Sequence, residues 1–312
     1  MPRAALGSFP SPVVPVPLEG PPDARGTLWL KRDDLDAPAV GGNKVRALEW
    51  LLGGVGVGDT VLTLGGEGST HVLATAHHAA RLGARTVAIR WPHEMHDVAH
   101  RVAALARDRC LVVHRAWTPV DAIVRTWWLR RRHPRWRWVP IGGSTPLGAL
   151  GHVGAALELA AQVRSGALPA PRRIVVALGS GGTSAGLLAG LAIAGLDAQL
   201  VAVRVAPRVA SNGRAIMRLA RRTTALLVHL TGERLPPPRG DRLRVVHARY
   251  GGAYGRPLAA GTLATRFFAG ATGVALDATY TAKAAAEAVA LAREAEGVTL
   301  FWNTFDGRLL HE

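Results

Sequence analysis

The chain has 312 residues, 48% of them hydrophobic, which is enough for one large domain or two lobes and excludes a disordered chain, a collagen and a small disulfide scaffold. Its 38 basic and 22 acidic residues give a formal charge of +16, which first points to nucleic acid or another anionic surface. Only Lys31, Lys44 and Lys283 among the 38 are lysine and the other 35 are arginine. With the abundance of Ala, Gly and Pro, this reads as a GC-rich coding bias. Any lysine kept in such a chain is then a candidate for work that a permanently protonated arginine cannot do, Schiff-base formation above all. Cys110 is the only cysteine, so no intramolecular disulfide forms. The longest apolar run, residues 185–196, is short of the roughly 20 residues that span a bilayer. The expectation is a soluble cytoplasmic protein with no membrane partner.

The first predicted element follows Gly41-Gly42-Asn43, a turn free to take positive φ, from which Lys44 opens an amphipathic helix carrying Val45, Leu48, Leu51 and Leu52. Strands are then expected at 60–64, 86–90, 110–114, 174–178, 200–205 and 243–247. Helices are expected at 70–82, 95–107, 120–132, 149–163, 184–194, 215–230, 258–268 and 282–295. Strand and helix taking turns predicts α/β architecture: two lobes of three layers, each a parallel sheet with helices on both faces. The breaks at 169–172 and 231–241 are proline-rich and read as connections. Residues 1–48 with 160–312 are expected to form a large domain and 49–159 a small one, with the site in the cleft between them.

Two segments carry chemistry. Lys44 at a helix N-terminus faces the positive end of the helix dipole, and that field together with burial lowers its pKa. Gly179-Ser180-Gly181-Gly182-Thr183 runs from an apolar strand straight into a helix. Small residues there let backbone N–H groups converge beside the helix N-terminus, which suits a phosphate. The loop lacks the Gly-Lys-Ser/Thr ending of a P-loop and does not match the dinucleotide fingerprint. A phosphate cradle and a privileged lysine together point to pyridoxal phosphate, whose aldehyde takes the lysine and whose phosphate takes the loop.

From about Leu30 to Phe301 the sequence resembles the fold-type II pyridoxal-phosphate enzymes, in particular the group of D-cysteine desulfhydrase and 1-aminocyclopropane-1-carboxylate deaminase. Lys31-Arg-Asp-Asp-Leu35 followed by Gly41-Gly-Asn-Lys44 is similar to the family's lysine segment. Gly68-Ser69-Thr70-His71 resembles its Ser-Asn-His substrate loop, and Gly142 to Gly151 with Glu158 and Gln162 resembles the segment closing the small domain. Gly179 to Thr183 is similar to the phosphate loop, while Ala253-Tyr254-Gly255 and Leu276 to Lys283 resemble the segments bringing two tyrosines over the cofactor. The resemblance implies a cofactor held by Asn43, Lys44, Thr70, the loop 179–183 and Thr304. It implies a small amino-acid substrate met by Ser69, Thr70, His71, Tyr254 and Tyr280, with Lys44, Ser69, Tyr254 and Tyr280 catalytic, and a homodimer. The expected reaction is elimination from the amino acid, giving a keto acid and ammonia.

Departures keep alternatives open. Thr281 stands where the deaminase branch has an acidic residue for the pyridine nitrogen, which favours the desulfhydrase-like reaction with its good β-leaving group. Thr70 replaces the family's asparagine. Phe301-Trp302-Asn303-Thr304-Phe305-Asp306 keeps only the threonine of the C-terminal segment, and Asp306 rivals Thr304 for the ring nitrogen. A divergent member doing β-replacement or cyclopropane-type deamination is the alternative, and a non-catalytic nucleic-acid-binding protein is the second. The latter rests on Arg125 to Trp138, where basic and aromatic residues interleave. The competing reading packs Trp127, Trp128 and Leu129 inward. His93, His96 and His100 with Glu94 and Asp97 have helical spacing, but read as a solvated face rather than a zinc site. His77 and His78 read as surface.

Overall fold

The structure is a computed structural model that describes residues 1–18, 26–93, 95, 97–110 and 112–310. Its first strands, β1 (Val13–Val16) and β2 (Gly26–Arg32), lead through a 3-10 turn into α1 (Lys44–Leu51). Three βα units and a fourth strand follow: β3 (Thr60–Gly66), α2 (Thr70–Arg81), β4 (Arg85–Trp91), α3 (Asp97–Arg109), β5 (Val112–Arg115), α4 (Pro119–Arg132) and β6 (Arg137–Val139). The long α5 (Pro146–Arg164) connects to β7 (Arg173–Leu178), α6 (Gly182–Ala194), β8 (Gln199–Arg204), α7 (Gly213–Thr231) and β9 (Leu243–Val246). Two helices, α8 (Ala259–Thr272) and α9 (Thr281–Glu294), precede β10 (Gly297–Asn303).

Two sheets result, as the alternating pattern predicts. The larger runs β1-β2-β10-β7-β8-β9, parallel except for β1, and the smaller runs β5-β4-β3-β6, all parallel. Apolar side chains fill both faces of each sheet, which is why the parallel strands read as continuous apolar runs. Residues 49–159 contain the whole smaller sheet. Helix α5 crosses position 160 and packs on α1 and α6. Glycines make that packing close: a Cβ on Gly186 would lie 2.4 Å from the Ala149 carbonyl oxygen, and one on Gly151 would lie 1.9 Å from that of Arg46.

Strands β1, β2, β6 and β10 are absent from the sequence reading. β1 is an edge strand that tolerates Pro15, and β2 carries Lys31 and Arg32, charges that hide a buried strand. The inward packing expected of Trp127 and Trp128 does not occur: only Leu129 is buried, because α4 turns the two tryptophans to the side away from its sheet. His78 is also not surface. It is fully buried and its Nε2 lies 3.2 Å from the Val40 carbonyl oxygen, since α2 is covered on two sides. Of the histidine cluster, His96 and Glu94 lie outside the described residues, and no group able to hold a metal exists among those described.

Candidate active site

Parallel strands deliver their following loops to one edge, so the C-terminal ends of β2, β10, β7, β3 and β4 converge. The loop after β2 ends in the turn before Lys44. Gly41 N–H donates to Asp306 Oδ2 (2.9 Å) and Gly42 N–H to Asp36 Oδ1 (2.9 Å). Gly42 has φ +102°, and a Cβ there would sit 2.5 Å from the Thr304 carbonyl oxygen, so only glycine fits. Asn43 N–H donates to that same oxygen (3.3 Å).

Lys44 Nζ donates to Asn43 Oδ1 (2.9 Å), and Asn43 Nδ2 donates to Thr183 Oγ1 (2.7 Å). Two hydrogen bonds therefore join the amine to the loop after β7. Burial pushes the Lys44 pKa down to about 8, with Asp277 opposing the shift. About a tenth of the amine is then neutral at pH 7, as its place at the helix start predicts.

The loop 179–183 is a cradle. Gly181 takes φ +90° at the N-cap of α6. The Gly182 N–H donates to Ser144 Oγ (3.0 Å), whose hydroxyl donates to Ser180 Oγ (2.7 Å). The N–H groups of Ser180, Gly181 and Thr183 have no protein partner among the described residues. Three uncommitted donors at a helix N-terminus fit a phosphate.

A cavity of about 70 Å³ lies beside this arrangement, its wall including Thr70, His93, Tyr254, Asp277, Tyr280 and Phe305. The Tyr254 and Tyr280 hydroxyls are 2.6 Å apart, and a Cβ on Gly179 would be 3.1 Å from the Tyr280 ring, which places the pair against the start of the cradle. Burial raises both phenol pKa values, so both hold their protons at neutral pH. Asp277 accepts from the N–H groups of Thr279, Tyr280 and Thr281 and from the Thr281 hydroxyl (2.7 Å). It thereby caps α9 and fixes Tyr280.

Ser69 is the N-cap of α2 without a side-chain capping bond, and the N–H groups of Thr70 and His71 have no protein partner among the described residues. The His71 ring lies beneath this end rather than in the cavity wall. It is buried, with Nε2 3.1 Å from Thr63 Oγ1, and burial plus the Lys44 charge lowers its pKa to about 3. Asp306 is engaged by Arg308 Nε (2.7 Å) and Gly41, so it serves the lysine turn. Thr304 lies beside it and holds Asn43 through its carbonyl. Sequence reasoning assigned no role to Ser144 or Asp277, and it put His93 on a solvated face, whereas the ring is half-buried in the cavity wall, edge-on to Tyr254 at 5.3 Å. Ser144 and Asp277 lie in the family-like segments 142–151 and 276–283, but their partners are 38 and up to four residues away, and only the fold reveals the former.

A half-buried lysine of lowered pKa tied to a phosphate cradle between two α/β sheets defines a cofactor-dependent enzyme that binds an aldehyde through its lysine. The family model described as pyridoxal-phosphate dependent enzyme matches residues 5–302, and the chain belongs to that family; it is a pyridoxal-phosphate-dependent enzyme. It is 37% identical to nocardicin C-9' epimerase of Nocardia uniformis subsp. tsuyamanensis, covering 97% of this chain and 92% of the relative. It is 34% identical to the D-cysteine desulfhydrase of Salmonella choleraesuis (strain SC-B67), covering 91% and 87%. Among solved structures, an ACC deaminase homologue matches with TM-score 0.78 at 27% identity, covering 99% of this chain and 96% of that one. An O-ureido-L-serine synthase, TM-score 0.67 and 16% identity over 96% and 90%, shows the shared fold alone. The fold-type II assignment, the enzyme reading and the cofactor expected from the sequence therefore hold. No helix among the described residues is long and apolar enough to cross a membrane.

Proposed function

We propose that the enzyme is a lyase or deaminase for a small amino acid with a leaving group on Cβ, releasing a keto acid and ammonia as a D-cysteine desulfhydrase does. The single observation that carries this is the chain of hydrogen bonds from Lys44 through Asn43 to Thr183, which fixes one amine at a set reach from one phosphate site. Asn43, Lys44, Thr304 and the loop 179–183 hold the cofactor in this reading. Bound there, pyridoxal phosphate supplies an electron sink beside the substrate Cα. The uncommitted N–H groups at the start of α2, with Ser69 and Thr70, orient the substrate carboxylate against the helix dipole. Lys44 Nζ, neutral in part near pH 7, takes the proton from Cα. The Tyr254–Tyr280 pair, protonated and hydrogen-bonded, donates a proton to the departing group. Asp306 lends its charge to the turn rather than to the ring, which supports Thr304 for the pyridine nitrogen.

A second reading is favoured by the 37% identity to an epimerase: Cα loses its proton to Lys44 and regains one on the opposite face, with the Cβ substituent retained. We also read the protein as a cytoplasmic homodimer. A borohydride-reducible near-visible band, lost in Lys44→Ala, tests the lysine. A panel of D- and L-amino acids bearing β-leaving groups, D-cysteine and β-chloro-D-alanine included, is then assayed for keto acid. No keto acid from any of them sinks the lyase reading. Exchange of the α-hydrogen in deuterated water with inversion and no keto acid establishes the second.

A further inference from the structure

Near the C-terminal ends of β8 and β9 two cations are buried beside a single aromatic ring. Arg204 is the last residue of β8 and 9% exposed, and Lys283 on α9 is fully buried. The Arg204 guanidinium lies 3.9 Å, and Lys283 Nζ 5.9 Å, from the centroid of Tyr250. Burial lowers the Lys283 pKa, Asp277 opposes the shift and the Arg204 charge adds to it. Asp277 is committed to the first turn of α9 through four hydrogen bonds. Glu287, one turn along α9, is shared by Arg244 and Arg249. Lys31 and Arg46, an equally enclosed pair of cations, instead face two carboxylates, Asp33 and Glu158. Lysine and arginine are seldom buried without a matching charge, and around Tyr250 positive charge is left unmatched.

Two enclosed nitrogens point to what balances it. Arg204 Nη1 donates to the Ala206 carbonyl oxygen (3.0 Å), but Nε has no partner among the described residues. His247 stands beside Arg204, each one residue past the last paired rung of β8 and β9, Val203 with Val246. Neighbours on adjacent strands turn their side chains to the same face. His247 Nδ1 is likewise enclosed and without a partner. Burial, together with Arg208 and Arg204, lowers the His247 pKa, so the ring is neutral at pH 7 and, with its hydrogen on Nδ1, donates there. We infer that Arg204, His247 and Lys283 form a binding site for a small inorganic anion, a halide or a compact oxyanion. Arg204 and His247 supply the directed donors and Lys283 the second charge. Solvent reaches the site past the half-buried His247 and Tyr250, with Arg208 exposed nearby. The near-complete enclosure of Arg204 and Lys283 suits a compact anion rather than an amino-acid carboxylate. Seated there, the anion joins β8 to the loop that leads to Tyr254 and to α9, whose N-cap is Tyr280. The inference is independent of the substrate assigned to the enzyme.

Arg204 pairs with Leu178, so the phosphate cradle begins one residue away, and the test uses holoenzyme in which the cofactor already fills that cradle. Crystals soaked in bromide locate the anion by its anomalous signal, expected within hydrogen-bond reach of Arg204 Nε and His247 Nδ1. In solution, thermal midpoints are compared in sodium bromide, sodium phosphate and sodium gluconate at equal ionic strength, which holds screening constant. A saturable rise in bromide or phosphate over gluconate is expected, and the stronger of the two names the class of anion. The affinity is expected to fall at least about tenfold in Arg204→Gln and in His247→Phe, each of which removes a donor to a charged acceptor. His247 is half-buried at a strand end, so its variant keeps the test open if Arg204→Gln does not fold. Equal midpoints in the three salts, or no bromide at Arg204, refute the inference. Bromide in the crystal with an unchanged response in both variants is an adventitious ion only and refutes it as well. A response confined to apoenzyme assigns the anion to the cofactor cradle and overturns it.

Discussion

Behind Lys44 lies a buried ionic cluster whose removal has a calculable cost. Glu158 on α5 accepts from Lys31 Nζ, from Arg46 Nη1 (2.9 Å) and Nη2 (3.1 Å), and from Ser11 N–H (2.9 Å). Asp33 accepts from Arg46 Nε (2.9 Å), Arg46 Nη2 (2.8 Å) and Trp302 Nε1 (2.7 Å). Lys31 and Asp33 are fully buried and Arg46 is 3% exposed. Two cations thus face two carboxylates and the cluster is neutral. Glu158→Gln keeps the shape but leaves one positive charge unbalanced, and breaking a buried pair in this way costs about 3–5 kcal/mol. Desolvation already lowers the Lys31 pKa, opposed chiefly by Glu158, so the variant lowers it further. A lysine whose folded pKa lies below its unfolded value destabilises most when it is charged, at low pH, and the loss fades as pH rises toward the unfolded value of about 10.4. Urea unfolding at pH 7 and pH 10 measures this. The expected deficit against wild type is about 3–5 kcal/mol at pH 7 and smaller at pH 10. A deficit below about 1 kcal/mol at pH 7, or one that grows with pH, refutes the account.

Because burial holds the Lys44 amine at about pH 8, reconstitution of apoenzyme with pyridoxal phosphate, followed by absorbance, is expected to accelerate as pH rises through 8 and to slow about tenfold per unit well below it. Gly151→Ala sets a Cβ against the Arg46 carbonyl and is expected to lose about 1–3 kcal/mol as α5 moves off α1, read as a lower thermal midpoint. Lys283 Nζ donates to the Tyr250 carbonyl (2.9 Å) within a fully enclosed site, in the loop that carries Tyr254. Lys283→Arg is expected to lower kcat by about tenfold or more with little change in cofactor affinity, because the larger guanidinium displaces that loop. Unchanged kcat would show that the loop accommodates it.

What was legible in the sequence was local: the glycine turn before Lys44, the cradle before α6, and the alternation that gives both sheets. A strand–loop–helix run announces itself because each glycine has a backbone task within a few residues. The cluster of Lys31, Arg46, Glu158 and Asp33 was illegible because it joins positions up to 127 residues apart. Strands β2 and β10 were missed for a related reason. Their charged and aromatic residues look like surface until Glu158 neutralises Lys31 and Asp33 takes the Trp302 indole N–H. The inward placement of Trp127 and Trp128 failed on a different ground, because hydrophobicity alone cannot say which of two apolar faces a helix turns to its sheet.

The three lysines stand apart from every other cation of the chain. In a chain with 35 arginines, the bias acts freely where a cation is solvated, as at the exposed Arg221 and Arg222 on α7, since either side chain serves there. Lys31 and Lys283 are fully buried, and burial brings the half-buried Lys44 amine down to about pH 8. In each place a compact ammonium donates to a few fixed oxygens: the Ser11 carbonyl, Glu158 and Gln162 for Lys31, the Tyr250 carbonyl for Lys283, and Asn43 Oδ1 for Lys44. A planar guanidinium with five donors would leave several unpaired in such sites and could not shed its proton. Survival against the bias therefore marks enclosure for two of the lysines and chemistry for the third. What separates Lys44 from its two counterparts is its position, where Gly42 admits the Thr304 carbonyl and Asn43 ties the amine to the phosphate loop.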